Sequence, residues 1–269
     1  MSLVPSMPHT TPPEPLRSFS GLARELGREL EEADRGRAEL VRRAESGRIL
    51  PNTLDALRLE LTYHSNAIEG NTLSLRETQM VLEGLTPPGE RPMREVYEAR
   101  NHARAIGRIE RWAGERSTSA PITERDLLDL HADVLADIDP RWAGRLRADR
   151  VLIAGTRFVP PGAQKFGDLI PDLLALANEP STHPLLRGAE LHYNVAAVHP
   201  FTDGNGRTAR LISNYLLLRT GFPLAIVEVG ERGAYLQSLD DANTGKCESF
   251  ARLIIRAVAR SITRLSGPD

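Results

Sequence analysis

Residues 199–210 read His199-Pro200-Phe201-Thr202-Asp203-Gly204-Asn205-Gly206-Arg207-Thr208-Ala209-Arg210, and the reading of this run decides the fold. Within twelve residues it sets a base, an acid, a glycine-rich turn and two arginines. Gly204-Asn205-Gly206 can present successive backbone N–H groups as a concave nest. The apolar stretch Leu211 to Leu218 behind it reads as a helix whose N-terminus faces the same point. The expected guest is an anion, and the mix suits a polyphosphate.

Each residue type has a chemical reason to be there. Arg207 and Arg210 lie three apart, so on a helix they share a face and can fork onto phosphate oxygens. Asp203 precedes the nest, where one carboxylate together with substrate phosphates would hold Mg²⁺, an ion that keeps most of its waters. His199 follows the apolar Val195-Ala196-Ala197-Val198 and precedes Pro200, which ends a helix and biases His199 toward an extended conformation. With an unperturbed pKa of about 6.5 it is largely neutral at pH 7 and able to take a proton from a hydroxyl. Singly, each element has an ordinary structural reading: a core histidine, a tight turn, a solvated helical face. Their conjunction points to a site.

Two further passages carry information. Pro51-Asn52-Thr53 looks like a helix start with Asn52 as N-cap, and Leu54, Leu57, Leu61 and Ile68 recur at helical spacing until Gly70 offers a left-handed cap. The last turn carries Glu69, the wrong sign for the negative end of a helix dipole, so a cation from elsewhere is required to meet it. Ser65, one turn earlier, is at the spacing to hydrogen-bond that carboxylate. Farther on, Val151-Leu152-Ile153-Ala154, Gly155-Thr156-Arg157 and Phe158-Val159-Pro160-Pro161 read as a short β-hairpin that needs packing support.

HPFTDGNGRTAR resembles the signature of the Fic family, H-P-F-x-(D/E)-G-N-G-R-x-x-R, and matches it at every fixed position. The resemblance implies an all-α fold: a helical bundle with a small β-hairpin flap and an N-terminal helical extension. It implies ATP as cosubstrate, with Mg²⁺, and transfer of AMP to a hydroxyl side chain of a target protein with release of pyrophosphate. By resemblance His199 is the general base, Phe201 a buried anchor, Asp203 the Mg²⁺ ligand, Gly204, Asn205 and Gly206 the phosphate cradle, and Arg207 and Arg210 its clamps. Ser65-Asn66-Ala67-Ile68-Glu69-Gly70 resembles the inhibitory motif (S/T)-x-x-x-E-(G/N), and Asn71-Thr72-Leu73-Ser74-Leu75 continues it. By that likeness Glu69 forms a buried pair with Arg210 and blocks the seat of the γ-phosphate. The flap residues Val151, Leu152, Ile153 and Phe158 would hold the target's backbone by strand addition, with Gly144-Arg145-Leu146-Arg147 leading in. Tyr235, Leu236 and Asn243 would line the nucleotide base pocket, Leu236 standing where close relatives carry an aromatic residue. Two alternatives stay open: removal of AMP from a modified target through the same site, and a nucleotide-sensing module without turnover, which would not need His199.

Composition agrees. The chain has 269 residues, 41% apolar and 26% charged, with a net charge of −2, which argues against a dedicated nucleic-acid binder. Its single cysteine, Cys247, excludes an internal disulfide and a cysteine-cluster metal site, and nothing resembles a signal peptide or membrane span. A cytoplasmic protein is expected, with ATP and an unidentified target protein as partners, the chain itself among the candidate targets. A homodimer that couples assembly to release of the inhibitory helix is a further reading. Organisation reads as a disordered tail over 1–18, an N-terminal helical region over 19–93 and a catalytic core over 94–269. Helical patterns run at 96–112, 124–136, 168–177, 189–198, 207–218, 235–243 and 250–262, and Leu22 to Arg48 alternates Arg and Glu like a solvated helical face.

Overall fold

The computed structural model describes residues 16–267. Most of the tail expected over 1–18 therefore lies outside the described residues, but Leu16, Arg17 and Ser18 are placed. The Arg17 N–H donates to Asn194 Oδ1 at 2.9 Å, and the Asn194 amide donates back to the Arg17 carbonyl at 3.0 Å.

The described residues form ten α-helices: α1 (Gly27–Glu45), α2 (Pro51–Ile68), α3 (Leu75–Leu82), α4 (Met93–Glu115), α5 (Glu124–Leu135), α6 (Phe166–Ala177), α7 (Pro184–Val198), α8 (Asn205–Arg219), α9 (Arg232–Asn243) and α10 (Glu248–Ser266). Helix α8 is the axis. Its run Leu211-Ile212-Ser213-Asn214-Tyr215-Leu216-Leu217 is buried all round, as a helix without a polar face must be. Helices α4, α5 and α7 enclose it, α6 backs α7, and α1 packs along α10. Phe19, Leu57, Ile106, Leu130, Leu216 and Ile254 belong to one contiguous core, so the N-terminal helices share it with the rest, while Leu73, Val81, Val96 and Ala99 form a small satellite under α3.

Local chemistry explains where the elements differ from expectation. Helix α2 starts at Pro51, with Leu50 rather than Asn52 as its N-cap, because proline at the first helical position lacks an N–H that would be orphaned anyway. Helix α3 was not anticipated, although its capping box was present in Ser74-x-x-Glu77. Ser74 Oγ accepts from the Glu77 N–H at 3.2 Å and the Glu77 carboxylate accepts from the Ser74 N–H at 2.8 Å.

The expected β-hairpin flap does not form: no strand is present among the described residues. Over Val151–Gly155 no backbone hydrogen bond reaches another described residue. An isolated two-stranded ribbon is marginal, and Pro160 and Pro161 bring no N–H to a ladder. Side chains hold the loop instead. Thr156 Oγ1 donates to the Asp240 carboxylate and accepts from the Phe158 N–H at 3.0 Å, and Phe158 packs on the core. Among the described residues no helix is long and apolar enough to cross a membrane.

His102, His131 and His192 are buried in this scaffold. Burial holds His131 down at about 4 and His192 at about 3, and takes His102 well below the ordinary 6.5. The folded chain keeps them neutral while the unfolded chain protonates first. Stability should therefore be complete above pH 6.5 and fall as pH descends through that value toward 4, each histidine adding up to about 1.4 kcal/mol per pH unit. Urea midpoints measured from neutral pH downward should decline steadily; a flat profile would contradict the buried neutral state.

Candidate active site

The turn between α7 and α8 is the least ordinary piece of backbone. His199 has φ 51° and ψ 57°, the one non-glycine residue with positive φ among those described. The extended conformation expected before Pro200 is not adopted. A left-handed residue costs roughly 1–2 kcal/mol and persists only where the surroundings over-determine it. Here the His199 N–H donates to the Val195 carbonyl at 3.0 Å, prolonging α7, and Nδ1 lies 3.2 Å from the Ala196 carbonyl.

Arg147 completes the clamp. Its side chain is buried, and among the described residues no carboxylate forms an ion pair with it. Nε donates to the His199 carbonyl at 2.7 Å, Nη1 to the Asp149 carbonyl at 2.6 Å and Nη2 to the Pro161 carbonyl at 2.7 Å and the Val198 carbonyl at 3.4 Å. Its backbone N–H donates to the Pro200 carbonyl at 2.9 Å, and the guanidinium stands 4.8 Å from the Phe166 ring centre. One cation thus ties both ends of the flap loop to the strained turn, its desolvation offset by carbonyl dipoles. Sequence reasoning had singled out Gly144–Arg147 only as a lead-in, because the Arg147 partners are main-chain atoms that leave no signature.

The imidazole of His199 is left ready to accept a proton. A carbonyl can only accept, so Nδ1 carries the hydrogen and Nε2 is bare. Burial, and then the charge of Arg147, lower its pKa, so the ring is neutral at pH 7.

The next residues build an anion seat. Phe201 is buried and stacks on His131, ring centres 3.6 Å apart and planes 8° from parallel. His131 Nδ1 accepts from the Gly144 N–H at 3.1 Å, so its Nε2 donates to the Asp203 carbonyl at 3.0 Å. The Asn205 side chain closes the loop by bonding the Phe201 N–H and carbonyl, each at 2.9 Å. Its amide therefore serves the turn, and only its backbone belongs to the cradle. Gly204 has φ 75°, and a Cβ there would lie 3.0 Å from Val134 Cγ1, so any other residue would be strained and crowded. The N–H groups of Asn205, Gly206 and Arg207 have no partner among the described residues. They point out of the first turn of α8, where anions bind.

A carboxylate lies beside them. Glu69 Oε1 accepts from Arg210 Nη2 at 2.6 Å, and a Cβ on Gly206 would come within 2.2 Å of that oxygen. Ser65 bonds Arg210 rather than the carboxylate: its Oγ accepts from Nε and its carbonyl from Nη2, each at 2.8 Å. The guanidinium was the stronger donor within reach, and Glu69 turns away from α2 to meet it. The pair is also less buried than expected. The Arg210 side chain is 2% exposed, but that of Glu69 is 38% exposed because it caps the end of α2. Arg232 Nε donates to the Ile68 carbonyl at 2.8 Å, so two cations meet the negative end of α2.

Arg207 has different partners from Arg210, lying 3.2 Å from Glu98 Oε1 and 3.4 Å from Asp203 Oδ1. Arg94 pairs with both Glu98 and Asp203, closing a ring of alternating charge that sequence spacing did not reveal. Burial opposes ionisation of Asp203, but Arg207, the Gly204 N–H and Arg94 together hold its carboxyl below the ordinary value.

A cavity of about 350 Å³, suited to a small ligand, lies beside this constellation. Glu69, His199, Gly206, Ile153, Phe158, Tyr235, Leu236 and Asn243 line it; Ser65, Gly70, Val151, Leu152, Asp203, Gly204, Asn205, Arg207 and Arg210 do not. Tyr235 is buried, its hydroxyl set between His192 Nε2 at 2.9 Å and Arg210 Nη1 at 3.4 Å. Asn243 accepts from the Tyr193 hydroxyl at 3.0 Å and donates to Asp240 at 3.3 Å, while Leu236 is 39% exposed.

The sequence profile of the Fic/DOC family matches residues 121–217. Protein adenylyltransferase fic-1 of Caenorhabditis elegans is 38% identical over 214 residues, covering 76% of this chain and 40% of that protein. Protein adenylyltransferase Fic of Nematostella vectensis is 36% identical over 208 residues, covering 74% and 47%. The chain thus spans less than half the length of these curated relatives. The solved structure of C. elegans Fic-1 residues 134–508 superimposes with a TM-score of 0.76 at 32% identity, covering 92% of this chain and 74% of that one.

The hold of Arg147 on His199 is open to test. Lysine at 147 keeps a charge but cannot fork onto several carbonyls at once. Long-range ¹H–¹⁵N spectra of wild type at pH 7 should show the His199 ring protonated at Nδ1 and bare at Nε2, and Arg147→Lys should give a mixture of tautomers. An unchanged spectrum would mean that the turn holds itself.

Proposed function

The chain belongs to the Fic family, and on that footing we propose that it transfers AMP from ATP to a hydroxyl side chain of a target protein, with Glu69 as its built-in restraint. The observation that carries this reading is the Glu69 carboxylate bonded to Arg210 over the first turn of α8, beside a neutral His199 with a bare Nε2. A tethered carboxylate on Arg210 beside unpaired first-turn amides occupies space that a phosphate can take.

In this reading the N–H groups of Asn205, Gly206 and Arg207 receive the phosphates, with Arg207 and Arg210 forked onto them, and Tyr235, Leu236 and Asn243 face the adenine. Val151, Leu152, Ile153 and Phe158 hold the target's backbone. His199 Nε2 takes the proton of the target hydroxyl as that oxygen bonds to the α-phosphorus and the bond to the departing pyrophosphate breaks. Such transfer depends on positioning and on neutralising charge, which these groups supply. Asp203 fits a Mg²⁺ site: it is one partly exposed carboxylate beside the phosphate seat, and its partner Arg94 is itself exposed enough to turn away. Bound there with the phosphates, Mg²⁺ supplies further neutralisation of their charge. The region 19–93 serves in this scheme to present α2, and 94–269 to carry the chemistry. A reducing, cytoplasmic setting suits the single buried Cys247, which has no disulfide partner.

The restraint is physically suited to release. Glu69 can leave for water at low desolvation cost, and Arg210 keeps its bonds to Ser65 and Tyr235 when it does. A ligand whose own negative charge replaces Glu69 on Arg210 can therefore shift the pair toward release.

Wild type, Glu69→Gly and Glu69→Gly/His199→Ala should be incubated with Mg²⁺ and α-labelled ATP, and label on the chain and on lysate proteins measured. Labelling by Glu69→Gly should exceed wild type at least about tenfold, a difference of about 1.4 kcal/mol, and vanish in the double variant. Equal labelling by all three, or none from any, would defeat the reading.

A further inference from the structure

The flap loop separates the cavity beside His199 from a larger hollow of about 1070 Å³. That exceeds the range typical of small-molecule sites, so a polypeptide segment suits it better. The two spaces share Gly155, Thr156, Phe158, Asp240 and Asn243 as a common wall, so a chain lying in the hollow can send a side chain toward His199.

The charge of the hollow runs against that of the protein. Three cations line it, Arg150, Arg157 and Lys165, and a single carboxylate, Asp240. All three cations are exposed, and among the described residues none makes an ion pair or hydrogen bond through its side chain. Asp240 is held by hydrogen bonds from Thr156 and Asn243 and forms no ion pair with any of the three cations, so the lining keeps an excess of positive charge. A chain with a net charge of −2 thus keeps an unpaired positive cluster at the entrance to its candidate active site. Beside the cluster, the backbone of Val151–Gly155 has no hydrogen-bond partner among the described residues, Leu152 is 81% exposed and Val159 is 47% exposed. Unpaired backbone beside apolar side chains can bond the main chain of an extended segment, and the cations beside it select the charge of that segment.

We infer that the hollow receives an extended segment of the target protein carrying Asp or Glu within a few residues of the modified hydroxyl. This rests on the AMP-transfer reading, and it adds the chemical class of the substrate. Backbone pairing alone would accept almost any sequence; the cluster supplies a preference. Three exposed ion pairs of ordinary strength correspond together to about tenfold in affinity, and they are weakened by salt.

The test uses the Glu69→Gly chain and fluorescent peptides of about twelve residues with a central Thr, flanked either by Asp and Glu or by Asn and Gln. By anisotropy the acidic peptide should bind at least about tenfold more tightly than its neutral twin at low salt, with the gap closing as salt rises. Arg150→Glu/Arg157→Glu/Lys165→Glu should abolish the preference. These are surface positions, and unchanged ATP affinity in the same variant checks that it is folded. Equal binding of the twins, or a preference that survives the triple reversal, overturns the inference. So does an oligonucleotide of matched charge that displaces the acidic peptide equally well, or a second copy of the chain found on this face by sedimentation. Binding is read without turnover. Charge-dependent binding of a peptide that is never labelled from ATP would leave the acidic docking standing and remove AMP transfer.

Discussion

A helix buried on every side cannot begin in water, so the charges at the start of α8 must be met by protein. This constraint organises the molecule. Three arginines at or near that start, Arg147, Arg207 and Arg210, are each about 2% exposed. Each is neutralised in a different way. Among the described residues Arg147 has main-chain carbonyls as its hydrogen-bond partners, including that of His199. Arg207 has Glu98 and Asp203, carboxylates that belong to the surrounding scaffold. Arg210 has Glu69, a residue with one edge in water at the end of another helix. The first arrangement is a strut, the second a charge ring, and the third a contact that solvent or a phosphate can replace.

Strain and incompleteness gather around the same point. His199 is held left-handed, the first-turn amides of α8 are unpaired, and the flap backbone makes no ladder. Elsewhere the described chain is conventional helix packing. Departures from local preference that sit together beside a cavity, and that the packing holds in place, are where chemistry is expected.

The helices were legible because apolar periodicity is local: the patterns at 96–112, 124–136 and 250–262 fall within α4, α5 and α10 or one residue beyond. The anion seat was legible too, since a nest followed by a helix start is contiguous in sequence. The capping box of α3 was legible and went unused. The hairpin misled because alternating apolar residues around a glycine describe a strand that wants pairing, without saying whether anything in the chain provides it.

By itself, then, the sequence determined most of the helices and a turn built for an anion with a histidine before it. These follow from spacing within a few residues, where backbone geometry is the governing constraint. The motif resemblance pointed to Glu69 meeting Arg210 across 141 positions, but only the tertiary structure decided that Ser65 bonds Arg210 and not Glu69, that Arg147 bonds the His199 turn, and that Arg94 and Glu98 close a ring with Asp203 and Arg207. Such partners are chosen by burial: a charge taken out of water accepts whichever dipole or counter-charge the packing brings within about 3 Å, however far along the chain it lies.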